Sequence, residues 1–310
     1  MCPPVLTVES TTSTSRRTLV VRGKLALPDY LGSPDGGVLT RDPATGRPKP
    51  WRDEPVPFVM TLPAQALSGP VPILIYQHGS PGGPEEILGT NNEFLDDAGY
   101  AILGIQDTSN RRYGADSAAQ TGAILVHLIV NGRIPLVELQ THANLQSLLR
   151  ALPAIAATDW LPAGAPDGKA ELDPTKILYR GISFGSHHSL GFLPFAPEVT
   201  AAVSVVGGGR FYENTLHQLD FFGVIPGIQV YLPTVRPVEL LVGLAALQND
   251  EDRQDPQLLA RHLYRQRLPI AGTPVDAPPP SLLWLEGVGD NVVSNNATRS
   301  AARELGIPQV

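Results

Sequence analysis

Cysteine is all but missing from this chain. Cys2 stands alone among 310 residues, which excludes an internal disulfide and a cysteine-built metal site. Long apolar runs are missing too, and none approaches the ~18 residues that a membrane-spanning helix needs. There is no basic block and the net charge is −7, so a nucleic-acid partner is not expected. Charged residues are scarce at 17% against 42% hydrophobic, a balance that excludes a disordered chain. Met1-Cys2-Pro3-Pro4 runs into polar Ser/Thr sequence, so no signal peptide is read there. The seven histidines are scattered without metal-ligand spacing, and neither a metal nor a cofactor is expected.

Glycine and proline are abundant, at 30 and 31 residues, which implies many turns and long ordered loops. Residues 1–57 read as a loose tail and a β extension. Leu19 to Leu27 is a strand, Tyr30 and Trp51 anchor a Pro/Gly/Asp-rich excursion, and a strand candidate over 56–62 is broken by Pro57. Residues 58–209 read as an α/β core. Val71 to Gly79 begins with a continuous apolar run, suited to a strand covered on both faces. Pro84-Glu85-Glu86 opens a helix with Ile87, Leu88, Phe94 and Leu95 as its apolar face, and Gly99 stops it. Tyr100 to Ile105 is the next strand, and Asn110 to Gly114 an irregular loop. Leu145, Leu148, Leu149 and Leu152 fall at i, i+3, i+4 and i+7, one face of a helix.

Val199 to Val206 is a further strand, closed by Gly207-Gly208-Gly209. Residues 210–275 break the alternation with Pro-jointed helical patterns, expected to form a cap inserted over the site. Residues 276–310 return to the core with a strand from Ser281 to Glu286 and a short helix from Asn296 to Leu305. The alternation predicts a mostly parallel, doubly wound α/β sheet with a helical cap and an N-terminal β extension.

The stretch Lys176 to His188 carries the chemistry. It reads as a buried strand, the turn Gly181-Ile182-Ser183-Phe184-Gly185, and the start of a helix. Such a turn lifts a serine hydroxyl to the end of a parallel sheet, and its glycines leave out side chains that would clash. Ser183 is therefore the candidate nucleophile. Acyl transfer also needs oxyanion donors, a base and an acid that orients the base. The N–H of Phe184 is one expected donor. The loop His78-Gly79-Ser80-Pro81-Gly82-Gly83 supplies the second, with the Ser80 N–H preferred over that of Gly79; His78 itself is read as structural. Asp290, in a Gly-rich turn after the last strand, is the candidate acid, with Glu286 second. Asp250, Asp252 and Asp255 read as a solvated helix boundary.

The base is the missing piece. The order Ser–Asp–His puts it after Asp290, and residues 291–310 hold no histidine. It is expected beyond Val310. His187 and His188 read as a helix-packing or surface pair, His127 and His142 as structural, and His217 and His262 as cap residues.

Four segments together resemble the α/β-hydrolase superfamily. They are Leu27-Pro28-Asp29-Tyr30-Leu31, Pro72 to Gly79, Gly181 to Gly185, and Gly289-Asp290-Asn291-Val292-Val293 leading into Ala297-Thr298-Arg299. More narrowly they are similar to the bacterial extracellular, virulence-factor type lipases and esterases. The resemblance implies Ser183 as nucleophile, Asp290 as acid, an oxyanion loop after Gly79, and a secreted or periplasmic enzyme acting on carboxylic esters. The expected function is a serine carboxylester hydrolase that forms an acyl-enzyme on a small-molecule or lipid or polyester ester. An amidase or peptidase of the same fold, or a non-catalytic binding or scaffold protein, are the alternatives. Phe211, Phe221, Phe222, Val224, Ile225, Leu240, Leu241 and Leu244 would suit acyl chains or simply pack a core.

Overall fold

In the computed structural model eight strands form one sheet. They are β1 (Leu6–Thr12), β2 (Arg17–Asp29), β3 (Arg52–Pro63), β4 (Val71–Gln77), β5 (Ala101–Ile105), β6 (Leu172–Ile182), β7 (Val199–Val205) and β8 (Ser281–Leu285), in the order β1-β2-β3-β5-β4-β6-β7-β8. The pairings from β1 through β3 to β5 are antiparallel, and those from β5 to β8 are parallel. The described residues are 5–32, 38–114, 117–162, 165, 167–217, 224–252, 255–270, 273 and 278–308. Cys2, Phe221 and Phe222 lie outside them.

Continuous apolar strands place side chains on both faces of the sheet, because successive residues point opposite ways. In β4, Ile73 and Ile75 enter the main core, while Leu74 and Tyr76 enter a smaller core on the other face. The smaller core is closed by Ile87, Leu88 and Leu95. The helix expected over 84–99 is instead two 3-10 turns, Pro84–Leu88 and Thr90–Asn92, and a short α1 (Glu93–Asp97). Gly89, extended at ψ 153°, breaks the run, and Phe94 is exposed with the Arg180 guanidinium 5.2 Å from its ring.

Pro57 does not break β3, and the boundary placed at 57 falls inside that strand. β3 pairs with β2 along Arg52 to Pro63, but with β5 only from Phe58 on. The Pro57 carbonyl accepts from Gln106 N–H on the β5 side. Pro55 shares its parity, so both missing N–H groups face away from β2 and cost that ladder nothing. Residues 110–114 are likewise not irregular. Asp107 caps α2 (Thr108–Tyr113) by accepting from Asn110 N–H at 2.8 Å, and Gly114 closes it at φ +69°.

α3 (Ala118–Val130) and α4 (Ile134–Ala156) follow, and the Leu145, Leu148, Leu149 and Leu152 face of α4 is buried in the main core. α5 (Phe184–Phe192) leaves the Ser183 turn. The 210–275 stretch divides in two. α6 (Phe211–His217), α7 (Val224–Tyr231) and α8 (Pro237–Glu251) share a separate apolar core with α3, formed by Val126, Ile129, Phe211, Ile228 and Leu244. α9 (Pro256–Tyr264) instead sends Ala260 and Leu263 into the main core, packing on α5 and on α10 (Asn295–Leu305).

Asp255 is not a solvated boundary residue. It is 1% exposed and accepts from Arg210, Phe211 and Gln257 N–H at 2.8, 2.9 and 2.8 Å. These amides open α6 and α9, whose first N–H groups have no partner inside the helix.

Candidate active site

Ser183 sits between β6 and α5 with φ +54° and ψ −116°. That is a disfavoured conformation for a residue with a Cβ, costing about 1–3 kcal/mol. Its surroundings leave it no alternative. The Ser183 N–H donates to Val205 O at 2.9 Å, and its carbonyl accepts from His187 N–H at 3.0 Å. A Cβ at Gly181 would lie 2.3 Å from Gly185 O, and one at Gly185 would lie 2.1 Å from Gln77 O. Helix and strands approach so closely that only glycine fits at either side of the turn. Tyr179, fully buried, ties the crossing by donating to Gly185 O at 2.7 Å.

The loop after β4 lies against this turn. A Cβ on Gly79 would be 3.2 Å from Ser183 Cβ. His78 is buried, and its Nε2 accepts from Asp107 N–H at 3.1 Å while Nδ1 donates to Gly79 O at 2.7 Å. Both ring nitrogens are used, so His78 orients the loop and does not act as base. The Ser80 hydroxyl donates to Asn110 Oδ1 at 3.3 Å, and Asn110 Nδ2 donates to Gly82 O at 2.6 Å, stapling the loop to α2. Ser80, Ser183 and Phe184 line one cavity. Phe184 is the first residue of α5, so its N–H has no partner within the helix and adds to the positive end of the helix dipole.

Asp290 lies in the turn after β8. Its Oδ1 accepts from Val292 and Val293 N–H at 2.7 and 2.9 Å. Val292 and Val293 reach the cavity of Ser183; Asp290 is not among its lining residues. Glu286, the second acid considered, is engaged by Arg299 at 2.6–3.0 Å. Among the described residues no histidine hydrogen-bonds the Ser183 hydroxyl or the Asp290 carboxylate. His217 comes nearest to Asp290, donating from Nε2 to its backbone carbonyl at 2.8 Å. His262 turns to Gln266 O, and His127 to Asn131.

His187 and His188 are buried, a packing pair rather than a surface one. His187 lines the Ser183 cavity, with Nδ1 2.7 Å from Gly208 O and Nε2 3.2 Å from Glu138 Oε2. Burial opposes its charged form, but the Glu138 carboxylate, together with Asp255 and the Gly208 carbonyl, raises the pKa on balance. Behind it, burial pushes the His142 imidazole down to about 3, assisted by His187. His188, 3.3 Å from His142, is likewise lowered by burial and by His142. Glu138 is the site residue that sequence reasoning missed. The signal was present: an acid and a histidine, Glu138 and His142, lie four apart on the helical face that continues through Leu145 and Leu149.

The sheet order, the strained serine turn and the loop facing it define the α/β-hydrolase fold. Two solved structures show the likeness: an acetyl xylan esterase from Thermoanaerobacterium sp. JW/SL YS485 is 14% identical with a TM-score of 0.53, covering 98% of this chain and 79% of the esterase. An acylaminoacyl peptidase from Pyrococcus horikoshii is 13% identical with a TM-score of 0.51, covering 97% of this chain and 43% of the peptidase. No protein-family model and no curated protein sequence matches the chain. Among the described residues no helix is long and apolar enough to cross a membrane.

Proposed function

We propose that the chain is a serine hydrolase of carboxylic esters that works through an acyl-enzyme. Ser183 attacks the ester carbonyl and the oxyanion rests on the N–H groups of Phe184 and Ser80. The alcohol leaves, and water then releases the acid. Asp290 is the acid that orients a histidine base in the order Ser–Asp–His; residues 291–310 hold no histidine. The observation that carries this reading is the Ser183 backbone at φ +54°, held between glycines with no room for a Cβ. Strain of this kind persists only where the surroundings impose it, and it exposes the serine to a cavity. The mostly apolar cavity suits an acyl chain or another apolar ester group, so lipid or polyester esters join small-molecule esters as substrates. The resemblance to virulence-factor type lipases favours action outside the cytoplasm.

A fluorophosphonate probe is expected to label Ser183, and Ser183→Ala to abolish both labelling and the hydrolysis of nitrophenyl esters. A folded chain that the probe leaves unlabelled defeats the reading. A second reading, a binding protein of this fold without turnover, draws on the absence, among the described residues, of any histidine bonded to Ser183. It predicts ester binding with no acylation of Ser183 in mass spectrometry.

A further inference from the structure

The cavity at Ser183 is apolar over most of its wall, with Ile124, Leu125, Leu128, Phe211 and Val292 contributing. Of the polar side chains that interrupt it, two hold a buried oxygen with no hydrogen-bond partner among the described residues. Glu138 of α4 is 1% exposed, and its Oε1 has no hydrogen-bond partner among the described residues. Thr121 of α3 is 4% exposed, and its Oγ1 has none either. Both residues line the cavity. A buried polar group without a hydrogen-bond partner is costly and rare in folded proteins. Two such groups, from different helices and both lining a cavity that also holds a candidate nucleophile, point to a ligand atom.

The charge of the pair selects the kind of donor. Glu138 Oε2 faces His187 Nε2 at 3.2 Å, and His187 Nδ1 lies 2.7 Å from Gly208 O. A carbonyl only accepts, so Nδ1 carries a proton. A further proton must lie between Nε2 and Oε2, since otherwise two lone pairs would face each other. Whichever atom holds it, His187 and Glu138 are neutral together. The remaining oxygen, Oε1, is therefore an acceptor with no net charge left to balance. An ammonium group would bring an unpaired charge into a buried site, whereas a hydroxyl would not.

We infer that Glu138 Oε1 and Thr121 Oγ1 form a subsite for a hydroxyl group carried by the part of the ester seated in this cavity, and that they determine specificity for hydroxylated esters. The inference rests on the hydrolase reading only for which bond is cut; hydroxyl recognition is a matter of binding.

Binding is measured in the full chain carrying Ser183→Ala, by ligand-observed NMR titration with two ester pairs that exchange hydroxyl for methyl. They are methyl 6-hydroxyhexanoate against methyl heptanoate, and methyl 3-hydroxybutanoate against methyl 3-methylbutanoate. The hydroxylated member of at least one pair is expected to bind about tenfold tighter or more. Adding Glu138→Leu is expected to bring that ratio within about twofold. Thr121→Val keeps the side-chain shape and the His187 pair, so it guards against loss of fold, and it is expected to lower the ratio partway. Equal binding within both pairs, or a preference unchanged by Thr121→Val, overturns the inference. Fluorophosphonate labelling of the unaltered chain separates the two proposals. Hydroxyl preference with Ser183 unlabelled defeats the hydrolase reading alone, and labelling without preference defeats the subsite alone.

Discussion

Ser183 and Asp290 follow parallel strands at the same end of the sheet, yet their turns are held in opposite ways. The serine turn is fixed by exclusion: its flanking glycines sit where a methyl group would meet backbone atoms at 2.1–2.3 Å. The Asp290 turn is fixed by attraction. The Asp290 carboxylate holds two amides, and Asn295 accepts from Gly289 N–H at 2.9 Å and donates to Gly287 O at 2.7 Å. A turn defined by exclusion tolerates no added atom, because backbone cannot step aside cheaply. A turn defined by hydrogen bonds loses them one at a time.

Four measurements test that contrast, taken from the largest expected effect downward. Gly185→Ala drives a methyl group into Gln77 O and is expected to cost more than about 3 kcal/mol in denaturant unfolding. A loss no greater than that at an ordinary glycine would break the comparison. Next, acid should weaken the serine side first. His142 and His188 titrate far below their usual 6.5 when folded. As pH falls below that value the unfolded chain takes up protons that the folded chain refuses. Each group then removes about 1.4 kcal/mol per pH unit, down to about 3 for His142. His187, raised by Glu138, acts the other way, and its stabilisation fades as pH rises through its folded pKa. Urea midpoints between pH 7 and 4 read the slope, and a flat profile would remove the histidines from the account.

Asp290→Ala removes the acceptor of two amide bonds and is expected to cost about 1–3 kcal/mol. Asp290→Asn keeps an acceptor oxygen and should recover most of that stability while still impairing ester hydrolysis. If Asn restored both equally, Asp290 would be a turn residue only. The smallest effect belongs to Gly289→Ala. Gly289 has φ +74° with open space around its Cα, so conformational strain alone remains, about 1 kcal/mol.

The same contrast explains what could be read from the amino acids. Exclusion leaves a mark in composition: glycines two residues either side of the serine, after an apolar run and before a helix. The core strands and the leucine face of α4 were equally visible, since burial on one or both faces sets a period. Polar side chains turned inward leave no such mark. Asp255 looks like any acid between helices until the amides it caps are seen. The six residues of α2, Thr-Ser-Asn-Arg-Arg-Tyr, have no apolar period, and the Asp107 cap and Gly114 stop define the helix instead. Pro55 and Pro57 argue against a strand unless it is known which side of β3 lacks a neighbour there.

Asp255 has a wider consequence. It joins the residues where the chain departs from β7 into α6 to those where it comes back into α9, so one carboxylate works as a clasp at the base of the excursion. Above that clasp α6, α7 and α8 share a small core with α3 and little with the sheet. A segment packed on its own core and fastened at its base breathes as a unit. In native-state hydrogen exchange the amides of α3 and of α6 to α8 would then trade their protons together, on a clock separate from that of the strands.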